Sequence, residues 1–162
     1  MKVLALLGYE EVQRSPRLRK AVARGLNPAR TGVENNDWAV RRALMELVLN
    51  DPDRGVRTVA MRALAMIGER EDVPFFARML QEGNVPVKIN AARGLGNSHA
   101  NEAVAPLRAA LADRKGSVRD AAAQALAKIG DRSAIPDIEA AVKRTWHPFW
   151  RAATKSSLRE FP

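Results

Sequence analysis

Neighbouring carboxylates are the first residues in this chain to test for chemistry: Glu10-Glu11, and the acids of Glu69-Arg70-Glu71-Asp72. A hydrolytic acid–base pair needs two carboxyl groups that face each other across the scissile bond. Sequence neighbours on a helix point in different directions, so these acids fit helix ends better, where a negative charge meets the positive end of the helix dipole. Metal chemistry is short of ligands. The chain has no cysteine, and its two histidines, His99 and His147, are far apart, so a zinc site would have to be completed by carboxylates. No nucleophile elbow, glycine-rich phosphate loop or metal-spaced histidine pair occurs. The expectation is a protein that is not an enzyme, with no metal and no cofactor.

What recurs at fixed spacing is positive charge. A basic residue returns at Arg19, Arg57, Lys88, Arg119 and Arg151. Six residues before each of the last four stand Asp51, Glu82, Asp113 and Thr145. Acid and base at one interval in three consecutive units predict a ladder of ion pairs or hydrogen bonds between repeats; ligand binding is the alternative. A second column, Arg24, Arg62 and Arg93, ends at Gln124 and falls on an outer face, where it offers anion contacts. Near the C-terminus Trp146 lies beside Lys143, Arg144 and Arg151, a combination that stacks on bases, anchors a partner or closes the end of a stack.

These columns belong to a repeat. Four stretches superpose on shifting the chain by 31, 31 and 32 residues, starting at Val56, Val87, Val118 and Trp150, with a fainter copy at Leu18. A leucine follows eight residues after each start: Leu26, Leu64, Leu95, Leu126 and Leu158. Before it sits a small residue, Gly25, Ala63, Gly94, Ala125 or Ser157, as helices that pack closely require. A period of this length marks a stacked array in which no unit buries its apolar face alone. In the unit from Val118 the apolar residues Ala121, Ala122, Ala125, Leu126 and Ile129, then Ile135, Ile138, Ala141 and Val142, fall at spacings of three and four, giving one helical stripe each.

Ten helices are expected, over about 2–12, 16–26, 37–49, 54–67, 72–82, 85–96, 102–113, 117–129, 134–144 and 147–159. Gly68 and Gly130 follow first helices as C-terminal caps, and Pro74, Pro86, Pro136 and Pro148 sit in first turns, where a missing N–H costs nothing. The fold class is all-α, a right-handed α-solenoid of about five helix pairs in a single domain over residues 1–162. Its parts are a capping helix (1–14), a divergent repeat (15–50) with a long loop over 27–37, regular repeats (51–83, 84–114 and 115–144) and a capping half-repeat (145–162).

Val56-Arg57-Thr58-Val59-Ala60-Met61-Arg62-Ala63-Leu64 with Ile67-Gly68, and Val118 to Asp131 with Ala134-Ile135-Pro136, resemble HEAT-like repeats, in particular the short type of phycobilisome-lyase-related proteins. The resemblance implies a rigid surface for another protein. Some members of this wider group are bilin lyases, and a related helical-repeat group excises alkylated DNA bases. In such repeats the second helix of each pair lines the concave side. Carried onto this chain, that face would hold Phe75, Arg78 and Glu82, then Pro106, Ala109 and Asp113, then Asp137, Ala140 and Arg144.

With 27 Lys and Arg against 18 Asp and Glu, the net charge is +9. The excess is spread along the chain without a basic tail, and the expected concave face mixes both signs, unlike a track for phosphates. The first expectation is therefore a non-catalytic protein-interaction scaffold with another protein as partner. The alternative is weak, sequence-independent binding of nucleic acid through Arg24, Arg62 and Arg93 with Lys143, Arg144 and Arg151. No segment reaches membrane-spanning length, no membrane partner is expected, and the N-terminal apolar run is too short for a signal peptide. A cytoplasmic location follows as the default.

Overall fold

The computed structural model of the chain describes Lys20 and residues 38–145, 147–159 and 161. The expected helix over 2–12, that over 16–26 apart from Lys20, the loop over 27–37, Arg24, Trp146 and the side chain of Trp150 lie outside the described residues. The chain divides into two compact units, Met1–Ile67 and Gly68–Pro162.

In the first unit, α1 (Trp38–Asn50) packs on α2 (Arg54–Ile67). Leu44 and Val48 of α1 and Val56, Ala60, Met61 and Leu64 of α2 are buried, a three- and four-residue rhythm that places each set on one side of its helix. The turn between them is built by two aspartates. Asp51 accepts the Asp53 N–H at 2.9 Å. Asp53 then caps α2 by accepting the N–H groups of Gly55 at 2.7 Å and Val56 at 3.0 Å, which satisfies two donors that the first turn leaves open. Those bonds, the Val56 one foremost, and Lys20 at 3.1 Å hold the Asp53 carboxyl below the usual carboxylate range.

The second unit continues with α3 (Val73–Glu82), α4 (Val85–Asn97), α5 (Val104–Ala110), α6 (Gly116–Ile129), α7 (Ile135–Arg144) and α8 (Pro148–Ser156). Helices α4, α6 and α8 pack side by side as one layer, and α3, α5 and α7 pack against them as the other. This two-layer stack of helix pairs is the α-solenoid that the repeat requires, and the described residues contain no strand. Its core runs through Phe76, Leu80, Val87, Leu95, Leu107, Val118, Leu126 and Ile138.

Local chemistry sets the ends of these helices. Asn84 caps α4 by accepting the Val87 N–H at 3.1 Å, with Pro86 in the first turn. Each second-layer helix is entered through a 3₁₀ turn, at Arg70–Asp72, Asn101–Ala103 and Arg132–Ala134. Gly68 and Gly130 adopt φ of +64° and +82°, the left-handed conformation that ends a helix and that glycine adopts without strain. His99 stands in the same place one repeat after Gly68 and one before Gly130, and it too has a positive φ, +48°.

One helix differs from expectation. The fifth in the stack covers Val104–Ala110 and not 102–113, because Leu111, Ala112 and Asp113 donate to Arg108, Ala109 and Ala110, each three residues back. These tighter bonds end the α-helix. Asp113 consequently sits in the turn before α6 and not on the exposed face of a second-layer helix.

Candidate interaction surfaces

The glycines and alanines of the small-residue column bring the layers together. A Cβ on Gly94 would lie 2.5 Å from the Phe76 ring, which is wholly buried, and one on Gly96 would lie 2.9 Å from the Ala125 Cα. Helix α4 is thus pressed against α3 on one side and α6 on another. Rigid spacing between layers follows from these contacts, and side chains on the outside are held in fixed register.

The recurring basic residues face the turns. Arg57 donates through Nη1 to the carbonyls of Asp51 and, at 3.2 Å, Pro52. Arg119 repeats this with Asp113 at 2.8 Å and Arg114 at 3.2 Å, and its Nε reaches the Thr145 hydroxyl at 3.2 Å. Carbonyls at a helix end carry partial negative charge and lack intrahelical donors, so a guanidinium suits them. Lys88 instead pairs with the Asp113 carboxylate at the far end of its own repeat at 2.9 Å, largely shielded from solvent. Burial pushes the Asp113 carboxyl up, but the Lys115 N–H, the Lys88 ammonium and the Arg119 charge outweigh it and hold the group below the usual carboxylate range. Thr145 takes the place of an acid in the last repeat. It is buried, donates to the Ala141 carbonyl at 2.8 Å and accepts from Arg119. Glu82 does not join the series: it is exposed and accepts from Arg78 at 2.9 Å, one turn earlier on its own helix.

The residues expected on the second-layer face separate into four kinds. Arg78, Glu82 and Arg144 are exposed on α3 and α7, and Lys143 is exposed beside Arg144. Asp137 pairs with Arg108 of the preceding repeat at 2.5 Å, so charges on α5 and α7 are tied together. Phe75 is half-buried, in edge contact with Phe76 at 6.4 Å between ring centres. Asp113 belongs to the turn described above. Arg151 is exposed on α8, and Phe149 near it is 63% exposed. In the first unit, Trp38 and Leu49 are exposed on α1, with the Arg42 guanidinium 5.2 Å from the Trp38 ring.

On the other layer of the second unit, Arg93 and Gln124 are exposed, on α4 and α6; in the first unit Arg62 is exposed on α2. Arg93 and Gln124 border a groove of about 370 Å³ between α4 and α6, together with Lys128. Reading the sequence by columns missed Lys128, which stands four residues after Gln124 and meets Arg93 only across two repeats. Among the described residues no group of three His, Cys, Asp or Glu side chains is placed to hold a metal ion. No described helix is long and apolar enough to cross a membrane.

Repeated helix pairs around a two-layer core define an α-helical tandem-repeat protein. A family model for HEAT repeats matches residues 5–88 and again 76–159, and the chain belongs to that family. The match shows the repeat itself and not the phycobilisome-lyase-related subtype. No curated protein matches the chain. HEAT repeats commonly serve as protein-interaction scaffolds and generally carry no catalytic apparatus of their own.

Proposed function

We propose that the chain is a non-catalytic protein-interaction module that meets its partner with the helices of the α3, α5 and α7 layer. The observation that carries this reading is the Arg108–Asp137 pair at 2.5 Å. It links the outer sides of two consecutive repeats within a surface that also presents Arg78, Glu82, Lys143 and Arg144. Charges of both signs, held in register by a packed core, complement another protein surface and fix its orientation. A phosphate backbone is served by a run of cations, and Glu82 and Asp137 interrupt any such run here.

The test is capture of proteins from native extract on the immobilised chain, repeated with Arg108→Glu. Recovery of a protein that the variant no longer retains supports the reading. Recovery of nucleic acid without protein, or capture indifferent to changes on α3, α5 and α7, overturns it.

A further inference from the structure

The groove between α4 and α6 is lined by polar and cationic side chains. Its floor is Gly96 and Ala125, where the two helices touch, and its walls are the longer side chains Arg93, Asn97, Gln124 and Lys128. None of the lining residues is acidic. Arg93 makes no ion pair among the described residues, and Lys128 donates to a neutral oxygen, Asn97 Oδ1 at 2.6 Å. Elsewhere in the same unit Arg70, Arg78, Lys88 and Arg108 each face a carboxylate. The groove therefore holds two cations on opposite walls with no counter-charge of their own.

We propose that this groove binds the carboxylate side chains of an acidic peptide segment in a partner protein. The proposal rests on the interaction reading above and adds to it a specific chemistry on the opposite layer. The planar guanidinium of Arg93 can grip a carboxylate with two parallel hydrogen bonds, and Lys128 adds a compact charge. At about 370 Å³ the space suits a few side chains and falls at the small end of ligand pockets. A nucleic-acid backbone would need cations continuing along the layer, but the columns through Arg93 and Lys128 hold Gln124 and Asn97 at their other positions in these two repeats.

The full chain, labelled with ¹⁵N, is titrated with an eight-residue peptide of alternating Glu and Ser, with its Gln counterpart, and with a short single-stranded DNA. The Gly96 backbone amide and the Gln124 side-chain amide are the reporters. The Glu peptide is expected to shift both to saturation and the Gln peptide neither. Arg93→Ala and Lys128→Ala should each weaken the Glu peptide about tenfold, whereas Arg114→Ala, an exposed cation outside the groove, should change it less than twofold. Both groove cations are exposed, so these variants should keep the wild-type spectrum. Absence of saturable shifts at Gly96 and Gln124, equal weakening by Arg114→Ala, or preference for DNA overturns the proposal. Shifts confined to α3, α5 and α7 overturn it while leaving the interaction reading intact.

Discussion

His99 occupies a glycine position. It follows α4 as Gly68 follows α2 and Gly130 follows α6, and it shares their positive φ, at +48°. For an L-residue the left-handed conformation brings Cβ against the backbone and costs about 1–2 kcal/mol; glycine has no such cost. Against this, glycine loses more chain entropy on folding, by about 0.5–1 kcal/mol. The histidine side chain is exposed, so removing it sacrifices little packing. The balance predicts that His99→Gly stabilises the protein by about 0.5–1 kcal/mol, a rise in melting temperature of about 1–4 °C for a chain of this size. In urea, with a slope near 2 kcal/mol/M, the midpoint should rise by about 0.3–0.5 M at unchanged slope. Gly130→Ala is the reciprocal test, expected to cost about 1–2 kcal/mol. If His99→Gly is neutral or destabilising while Gly130→Ala behaves as expected, strain at position 99 is not what the geometry implies, and the imidazole holds the α4 end by a contact of its own.

Gly94→Ala should destabilise by about 1–2 kcal/mol, because overpacking against Phe76 outweighs the roughly 1 kcal/mol gain in helix propensity; Phe76→Leu in the same chain should recover part of the loss in a double-mutant cycle by urea unfolding. Arg119→Met removes hydrogen bonds to two carbonyls and the Thr145 hydroxyl and should cost about 2 kcal/mol in thermal or urea unfolding, with partner binding through the α3, α5 and α7 layer unchanged. Asp113→Asn should destabilise at neutral pH and progressively less in acid. The folded Asp113 carboxyl titrates below its ordinary value, so its contribution is complete above about pH 4 and is lost as pH falls through the folded pKa. Urea midpoints of wild type and variant that fail to converge between pH 7 and pH 2.5 would argue against the pair.

The fold was readable because repetition multiplies weak signals. The expected spans 54–67 and 72–82 correspond to α2 and α3 almost residue for residue, and Gly68 and Gly130 mark real left-handed caps. The early end of α5 was not readable: nothing in Leu111-Ala112-Asp113 breaks a helical pattern, and only the turn into α6 draws Asp113 towards Lys88. His99 was in principle visible, since a shift of 31 residues places it between two glycines, but a lone histidine carries no conformational signature. The surfaces were legible one residue at a time. Arg93 stood out in its column, yet the groove needs Lys128 from a different column of the following repeat, and such diagonal neighbours emerge only when helices are laid side by side. Glu82 obeyed the spacing of the basic ladder and still turned outward, because Arg78 on its own helix is closer at hand.

The contact between Gly94 and Phe76 bears on how such an array can be rearranged by recombination. One repeat further on, the matching positions are Ala125 and Leu107, and after that Ser157 and Ile138, all buried. Phe76, the bulkiest of these three second-layer residues, is thus met by glycine, the smallest of the three first-layer residues, in the following repeat. A segment exchanged as a first helix with its own second helix would separate these matched volumes, setting phenylalanine against alanine. A segment that begins at α3 and ends after α4 carries both halves with it. The unit that can be duplicated, deleted or grafted without repacking is therefore offset by one helix from the unit that the sequence pattern displays.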